Sequence, residues 1–321
     1  MENTLTKVSI LNFTTESGTQ IANLDLSYEL FGPDLGTAPV VLVNHALTGN
    51  STVCGENGWW KDLIGPDKAI DSKVYTILAF NIPGNGYDGQ QLRNYKDWVA
   101  KDMARLFLEA INVLEIEQLY AIIGGSLGGG IAWEMAVIAP NITKHLIPVA
   151  ADWKATDWLI ANCLIQEQIL LNSSKPVHDA RLHAMLCYRT PASFKERFQR
   201  STNEALDMFN VESWLLHHGK KLQERFQVAS YLLMNQLLKS IALDQNCENV
   251  AASLKSITAH IHLVAVDSDL FFTAEENREI YMFLTANDKK ASYHEIRSIH
   301  GHDAFLIEYE QLQKIIKPIF S

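Results

Sequence analysis

Cysteine is scarce in this 321-residue sequence: only Cys54, Cys163, Cys187 and Cys247 occur, far apart from one another. Such spacing supports neither a paired zinc site nor a disulfide framework, and a reducing, cytoplasmic setting is expected. No apolar run approaches the ~20 residues needed to cross a bilayer. The opening residues, Met-Glu-Asn-Thr-Leu-Thr-Lys, lack the basic region and apolar stretch of a secretory signal. Positive charge is also in deficit. Against 37 Asp and Glu stand 27 Lys and Arg, a formal net charge of −10. A nucleic-acid surface is thereby excluded as an expectation, because phosphate backbones are held by clustered cations. A local basic patch for a small polyanion is not. Internal repeats and low-complexity segments are absent too. What is present is the composition of a folded globular chain, 47% hydrophobic and 20% charged.

Four short apolar runs lie in the first half: residues 38–44 (A-P-V-V-L-V-N), 73–80 (K-V-Y-T-I-L-A-F), 119–123 and 146–150. Continuous runs of this kind read as strands buried on both faces, as in a parallel sheet with helices packed on either side. Residues 98–114 carry Val99, Met103, Leu106, Phe107, Ala110, Ile111 and Leu114 at helical spacing. From about residue 153 to 254 strand-like runs vanish, and residues 158–171 and 225–243 read as helices. Alternation then resumes: strand at 260–266, helix at 274–284, strand at 292–296, helix at 304–316. The expected architecture is an α/β fold of the α/β-hydrolase kind, a mostly parallel sheet flanked by helices. Its core spans residues 1–151 and 256–321, with a helical cap inserted at 152–255.

Gly124-Gly125-Ser126-Leu127-Gly128 is a G-x-S-x-G stretch lying directly after the strand at 119–123 and before a helical segment at 131–138. That setting is what a nucleophile elbow requires: small neighbours for a sharp turn, and a serine held out at the start of a helix. A glycine-rich turn that merely packs helix on strand is the plain alternative. A nucleophilic serine needs a base, and the base an orienting acid, in the chain order Ser, Asp or Glu, His. Asp267 and Asp269 follow the strand at 260–266, while His300 and His302 follow the strand ending at residue 296. Asp269 and His302 are preferred, with Asp267 and His300 as local competitors. The segment N-H-A-L-T-G (residues 44–49) follows the strand at 38–43. Leu47 and Leu127 are therefore the candidate oxyanion donors, through their backbone N–H groups.

With these residues in place the sequence resembles the homoserine O-acetyltransferases. The resemblance rests on H-A-L-T-G (45–49), G-W-W-K-D-L-I-G-P (58–66), G-G-S-L-G-G (124–129), A-R-L-H-A-M-L-C-Y-R-T (180–190), V-E-S-W-L-L-H-H-G (211–219), D-S-D-L-F-F (267–272) and G-H-D-A-F-L-I-E (301–308). It implies Ser126 as nucleophile, Asp269 as acid and His302 as base. It further implies Arg181 holding a substrate carboxylate, Tyr188 beside it and Asp303 receiving an ammonium. Acetyl-CoA as co-substrate, L-homoserine as acceptor, no permanent cofactor, a homodimer and a place in methionine biosynthesis follow from the same resemblance. One departure stands out. The family usually carries a long loop with G-S-T-G-P after the second strand run, where this sequence has only residues 81–95. An esterase or thioesterase built on the same triad is the alternative that this shorter loop favours.

Other signals carry less. Gly84 to Gly89 matches G-x-G-x-x-G, but no helix opens directly after it, as a dinucleotide site would need. His300, His302 and Asp303, or His260 and His262, have the spacing of metal ligands, yet the latter pair sits at the head of a buried strand and no Cys or second His cluster completes a set, so no metal is expected. Trp59-Trp60 and His217-His218 read as packing and cap-surface features.

Overall fold

The computed structural model describes residues 4–243 and 250–321. Cys247 lies outside them; Cys54, Cys163 and Cys187 are free thiols. An eight-stranded sheet organises the chain. Strands β1 (Thr6–Thr14) and β2 (Gln20–Phe31) form an antiparallel hairpin, and β2 runs antiparallel to β4 (Thr76–Phe80). From β4 onward every pairing is parallel, through β3 (Val40–Asn44), β5 (Leu119–Gly125), β6 (Thr143–Val149), β7 (His260–Val266) and β8 (Ala291–Ile296). The order across the sheet is β1-β2-β4-β3-β5-β6-β7-β8. This is the mostly parallel α/β architecture expected from the apolar runs.

The chain leaves β3 toward β4 on one side and reaches β5 on the other. At such a switch point the loops diverge and open a crevice at the carboxyl edge of the strands. Central strands are buried on both faces, so their residues divide between two cores: Val40 and Leu42 of β3 face one, Val41 and Val43 the other. Helices α1 (Ala100–Val113) and α2 (Leu127–Ile138) cover the first face. On the second lie the segment around Trp60, Leu63 and Ile64 and the C-terminal helix α10 (Tyr309–Ile316).

Between β6 and β7 come α3 (Asp157–Asn172), α4 (Pro176–Tyr188), α5 (Pro191–Phe198), α6 (Asn210–Gln223), α7 (Val228–Lys239) and α8 (Val250–Ser256). Their starts are written locally. The Thr156 side chain accepts the Leu159 N–H at the head of α3, Thr190 does the same for Ser193 in α5, and prolines open α4 and α5, where a missing N–H costs nothing. A two-residue hairpin, Thr202–Asn203 with Met208–Phe209, interrupts this helical stretch, a departure from the all-helical expectation. Helix α9 (Ala274–Ala286) joins β7 to β8.

Two further differences from the sequence pattern matter. The apolar runs predict no strand before residue 38, yet β1 and β2 are there. Val8, Ile10 and Phe13 point inward from an otherwise exposed β1, an alternation rather than a continuous apolar run. The single helix expected at 304–316 is instead a 3₁₀ segment, Gly301–Leu306, followed by α10. The first piece drives Ala304 and Phe305 into the core; Glu308, whose carboxylate accepts the Ser298 hydroxyl at 2.8 Å, restarts the chain as α10.

Candidate active site

Ser126 sits between β5 and α2 with φ 55° and ψ −123°, a conformation that costs a non-glycine residue roughly 1–3 kcal/mol. The surroundings hold it there. Its N–H donates to the Val149 carbonyl at 2.9 Å, and its carbonyl accepts from Gly129 and Gly130 at 2.9 and 3.2 Å. The flanking glycines are a steric requirement. A Cβ at Gly124 would stand 2.4 Å from the Gly128 backbone, and one at Gly128 would stand 2.3 Å from the Asn44 carbonyl oxygen.

Across the crevice, His302 Nε2 lies 2.9 Å from Ser126 Oγ, and His302 Nδ1 lies 2.7 Å from Asp269 Oδ2. A carboxylate only accepts, so Nδ1 carries the proton and Nε2 presents its lone pair to the serine hydroxyl. Asp269 is itself fixed, its Oδ1 accepting the N–H groups of Phe271 at 2.6 Å and Phe272 at 3.0 Å. Ser126, Asp269 and His302 are each only 4% exposed, which leaves little water to compete for these bonds. Tyr188, Phe271, Phe272 and Phe305 surround the imidazole, with ring centroids 5.1–5.7 Å away. The local competitors lie elsewhere. Asp267 is exposed and accepts the Ser298 N–H, while His300 Nδ1 meets Ser193 Oγ at 2.9 Å.

The loop after β3 lays its Asn44 and His45 backbone against Gly128 of the elbow; neither the Leu47 N–H nor that of Leu127 donates to another group among the described residues. Beneath this loop His45 is fully buried. Its Nδ1–H donates to the Ala46 carbonyl at 2.8 Å and its Nε2 accepts the Ile82 N–H at 2.9 Å. Burial pushes its pKa down to about 4, so the ring is neutral near pH 7, as an accepting Nε2 requires. The short loop after β4 is thus wired to the loop after β3, and Asn81 adds a second tie by accepting the Ser51 N–H at 2.8 Å.

Arg181 of α4 is half-buried, its guanidinium 5.6 Å from the centroid of the Tyr188 ring, and it meets no carboxylate among the described residues. Tyr188 is buried against Phe271, and burial holds its phenol well above the usual range. Asp303 is already engaged: its Oδ2 accepts from Arg189 Nε at 2.9 Å. A further cation, Arg225, donates to the Thr48 carbonyl at 3.0 Å, tying the helical segment to the loop after β3. His300, His302 and Asp303 point to three different partners and form no common ligand set. The pair His260 and His262 does acquire a third imidazole, from His145, which sequence spacing does not reveal.

Residues 39–164 match the family model described as the alpha/beta hydrolase fold. A homoserine O-acetyltransferase from Cyclobacterium marinum is 33% identical over 95% of this chain and 92% of its own length. The chain belongs to the homoserine O-acetyltransferase family. Among solved structures, the homoserine O-acetyltransferase from Bacillus anthracis superposes with a TM-score of 0.88 over 100% of this chain and 98% of that one, at 19% identity. Esterase E22 superposes almost as well, with a TM-score of 0.87 at 18% identity, covering 99% and 100% of the two chains. Likeness at that identity speaks to the fold alone. For this homoserine O-acetyltransferase family member, sequence reasoning missed Arg189, Arg225, Asn81 and the bracing role of His45. His45 and Arg189 left a trace in sequence, within the H-A-L-T-G and A-R-L-H-A-M-L-C-Y-R-T stretches; the others depend on contacts between distant segments.

Proposed function

We propose that this chain transfers an acetyl group from acetyl-CoA to the hydroxyl of L-homoserine through an acetyl–Ser126 intermediate, with residues 152–255 acting as a cap. One observation carries the reading: the Tyr188 ring contacts both the His302 imidazole and the Arg181 guanidinium, so a cation that meets no carboxylate among the described residues lies one aromatic ring from the base. A zwitterionic acceptor needs such a cation for its carboxylate; an ester hydrolase does not. The names of the relatives support the same acceptor and the same acyl group.

In the first half-reaction His302 Nε2 takes the Ser126 proton as Oγ attacks the thioester carbonyl. The Leu47 and Leu127 N–H groups receive the developing oxyanion. The intermediate collapses with the C–S bond breaking, and the imidazolium returns its proton to the departing thiolate. In the second, homoserine enters with its carboxylate on Arg181 beside Tyr188 and its ammonium on the free Oδ1 of Asp303, whose other oxygen Arg189 holds. Its hydroxyl gives its proton to His302 and attacks the acetyl carbonyl; the acetyl–Oγ bond then breaks, the imidazolium returns the proton to Ser126 Oγ, and the product ester leaves. A homodimer would cover apolar side chains left exposed on α3 and α4, among them Trp158, Leu164, Leu171 and Leu186.

The deciding experiment follows CoA release from acetyl-CoA with and without L-homoserine. Acceleration by homoserine, with O-acetylhomoserine found by mass, supports the transferase. Equal release in both conditions sinks it in favour of a hydrolase and leaves the geometry of the triad intact.

A further inference from the structure

We propose that His145, His260 and His262, at the amino ends of β6 and β7, form a binding site for a divalent transition-metal ion of the zinc, nickel or copper type. One ligand nitrogen from each of the three falls within 4.8 Å of the others. The sheet register produces this grouping: His260 stands opposite His145 in the parallel pair, and His262 follows two residues on, on the same face of β7. His262 is buried, and its Nδ1 lies 2.9 Å from Ser292 Oγ on the neighbouring β8. Donation of the Nδ1 proton to that hydroxyl leaves a lone pair on Nε2, the outer partner that orients many metal-bound imidazoles. That Nε2 lies 3.0 Å from His145 Nδ1, the contact an ion would replace.

A zinc–imidazole bond is about 2.0–2.1 Å long, so ligand nitrogens around one ion stand closer together than the widest separation here. His145 and His260 are only half-buried, and a modest turn of their rings closes that gap. The charged and titratable groups facing the cluster are Lys144 on β6, Lys290 just before β8 and His294 on β8, with the Tyr120 ring of β5 against His145. Burial and these neighbours keep the three imidazoles in the neutral, ligating form. An all-imidazole set without a carboxylate favours zinc, nickel and copper over magnesium or calcium. The cluster lies at the opposite end of the strands from Ser126 and Asp269, so the ion would clasp β6 to β7 and take no part in acyl transfer.

The test uses untagged, chelator-stripped full-length protein, titrated calorimetrically with zinc and, separately, with cobalt(II) as a spectroscopic probe. One ion per chain is expected, with the visible absorption of low-coordinate cobalt(II) and a rise in Tm on adding zinc. His260→Gln and His262→Gln should each weaken binding at least tenfold and remove the Tm shift, while His217→Gln, on the cap, leaves both unchanged. If the buried His262→Gln variant fails to fold, the half-exposed His260→Gln variant decides. Absence of stoichiometric binding to the wild type, or binding that His260→Gln leaves unaltered, overturns the proposal.

Discussion

Ser126, His302 and Asp269 form one line of hydrogen bonds, so their substitutions should differ in kind. Ser126→Ala is expected to abolish labelling by acetyl-CoA carrying an isotopic acetyl group. Asp269→Asn should lower kcat by roughly three to four orders of magnitude, because the imidazole loses the partner that sets its tautomer. Asp267→Asn, at an exposed residue bonded to the Ser298 N–H, should cost little. A reversed ranking of the two aspartates in steady-state assays would refute the assignment of the acid. Arg181→Ala separates binding from chemistry: the acetylation burst should persist while kcat/KM for homoserine falls about ten- to a hundredfold, the loss of roughly 1.5–3 kcal/mol from a charged contact. His45 makes a different prediction. It touches no reacting atom, yet it holds the loop that carries Leu47 against Ile82. His45→Ala should therefore lower kcat, by about the 10²–10³-fold of a misplaced oxyanion donor, more than it alters KM for acetyl-CoA.

At the level of elements, the junction of β3, β5 and α2 is tight enough for one methyl group to act as a wedge. Gly128→Ala would press a Cβ against the Asn44 carbonyl oxygen and force the start of α2 away from the loop after β3. Expected outcomes are a stability loss of about 1–3 kcal/mol in chemical denaturation and a disproportionate loss of turnover. The same elements show what can be read from sequence. Strand β7 is legible over its whole length because its interior is buried on both faces, and burial on both faces demands an unbroken apolar run. The hairpin of β1 and β2 is not, because one side of β1 faces water and only every second or third residue is buried. Ser126, Asp269 and His302 can be proposed from sequence because each follows a strand at the same edge of the sheet. The Arg189–Asp303 pair and the His145–His262 contact cannot. Their partners are 114 and 117 positions apart, and nothing periodic connects them. The break at Ile307 is hidden as well, since a 3₁₀ turn and an α-helix present similar apolar spacing over so few residues.

For the whole molecule, two buried groups set opposing responses to pH. Burial lowers the His45 pKa from 6.5 to about 4, so the unfolded chain binds its proton more strongly. The stability tied to its neutral form is complete above about pH 6.5 and is lost as pH falls toward 4. Burial raises the Asp152 pKa from 3.8 to about 7, so here the folded chain holds the proton. That contribution is complete below pH 3.8 and is lost as pH rises toward 7. The two windows overlap and partly cancel, so the wild-type profile alone is uninformative. The difference between wild type and Asp152→Asn is not: the variant should gain on the wild type from about pH 4.5 to about pH 8, by about 2–4 kcal/mol in urea denaturation. A difference that stays constant with pH would show that Asp152 does not titrate in this range. The separation of 176 positions between Ser126 and His302 also has a consequence in time. At ~5–20 residues per second of synthesis, roughly 9–35 seconds pass between the appearance of the hydroxyl and the appearance of its base. On the proposed mechanism, the growing chain at the ribosome carries an ordinary alcohol at Ser126 throughout that interval, unable to take an acyl group prematurely.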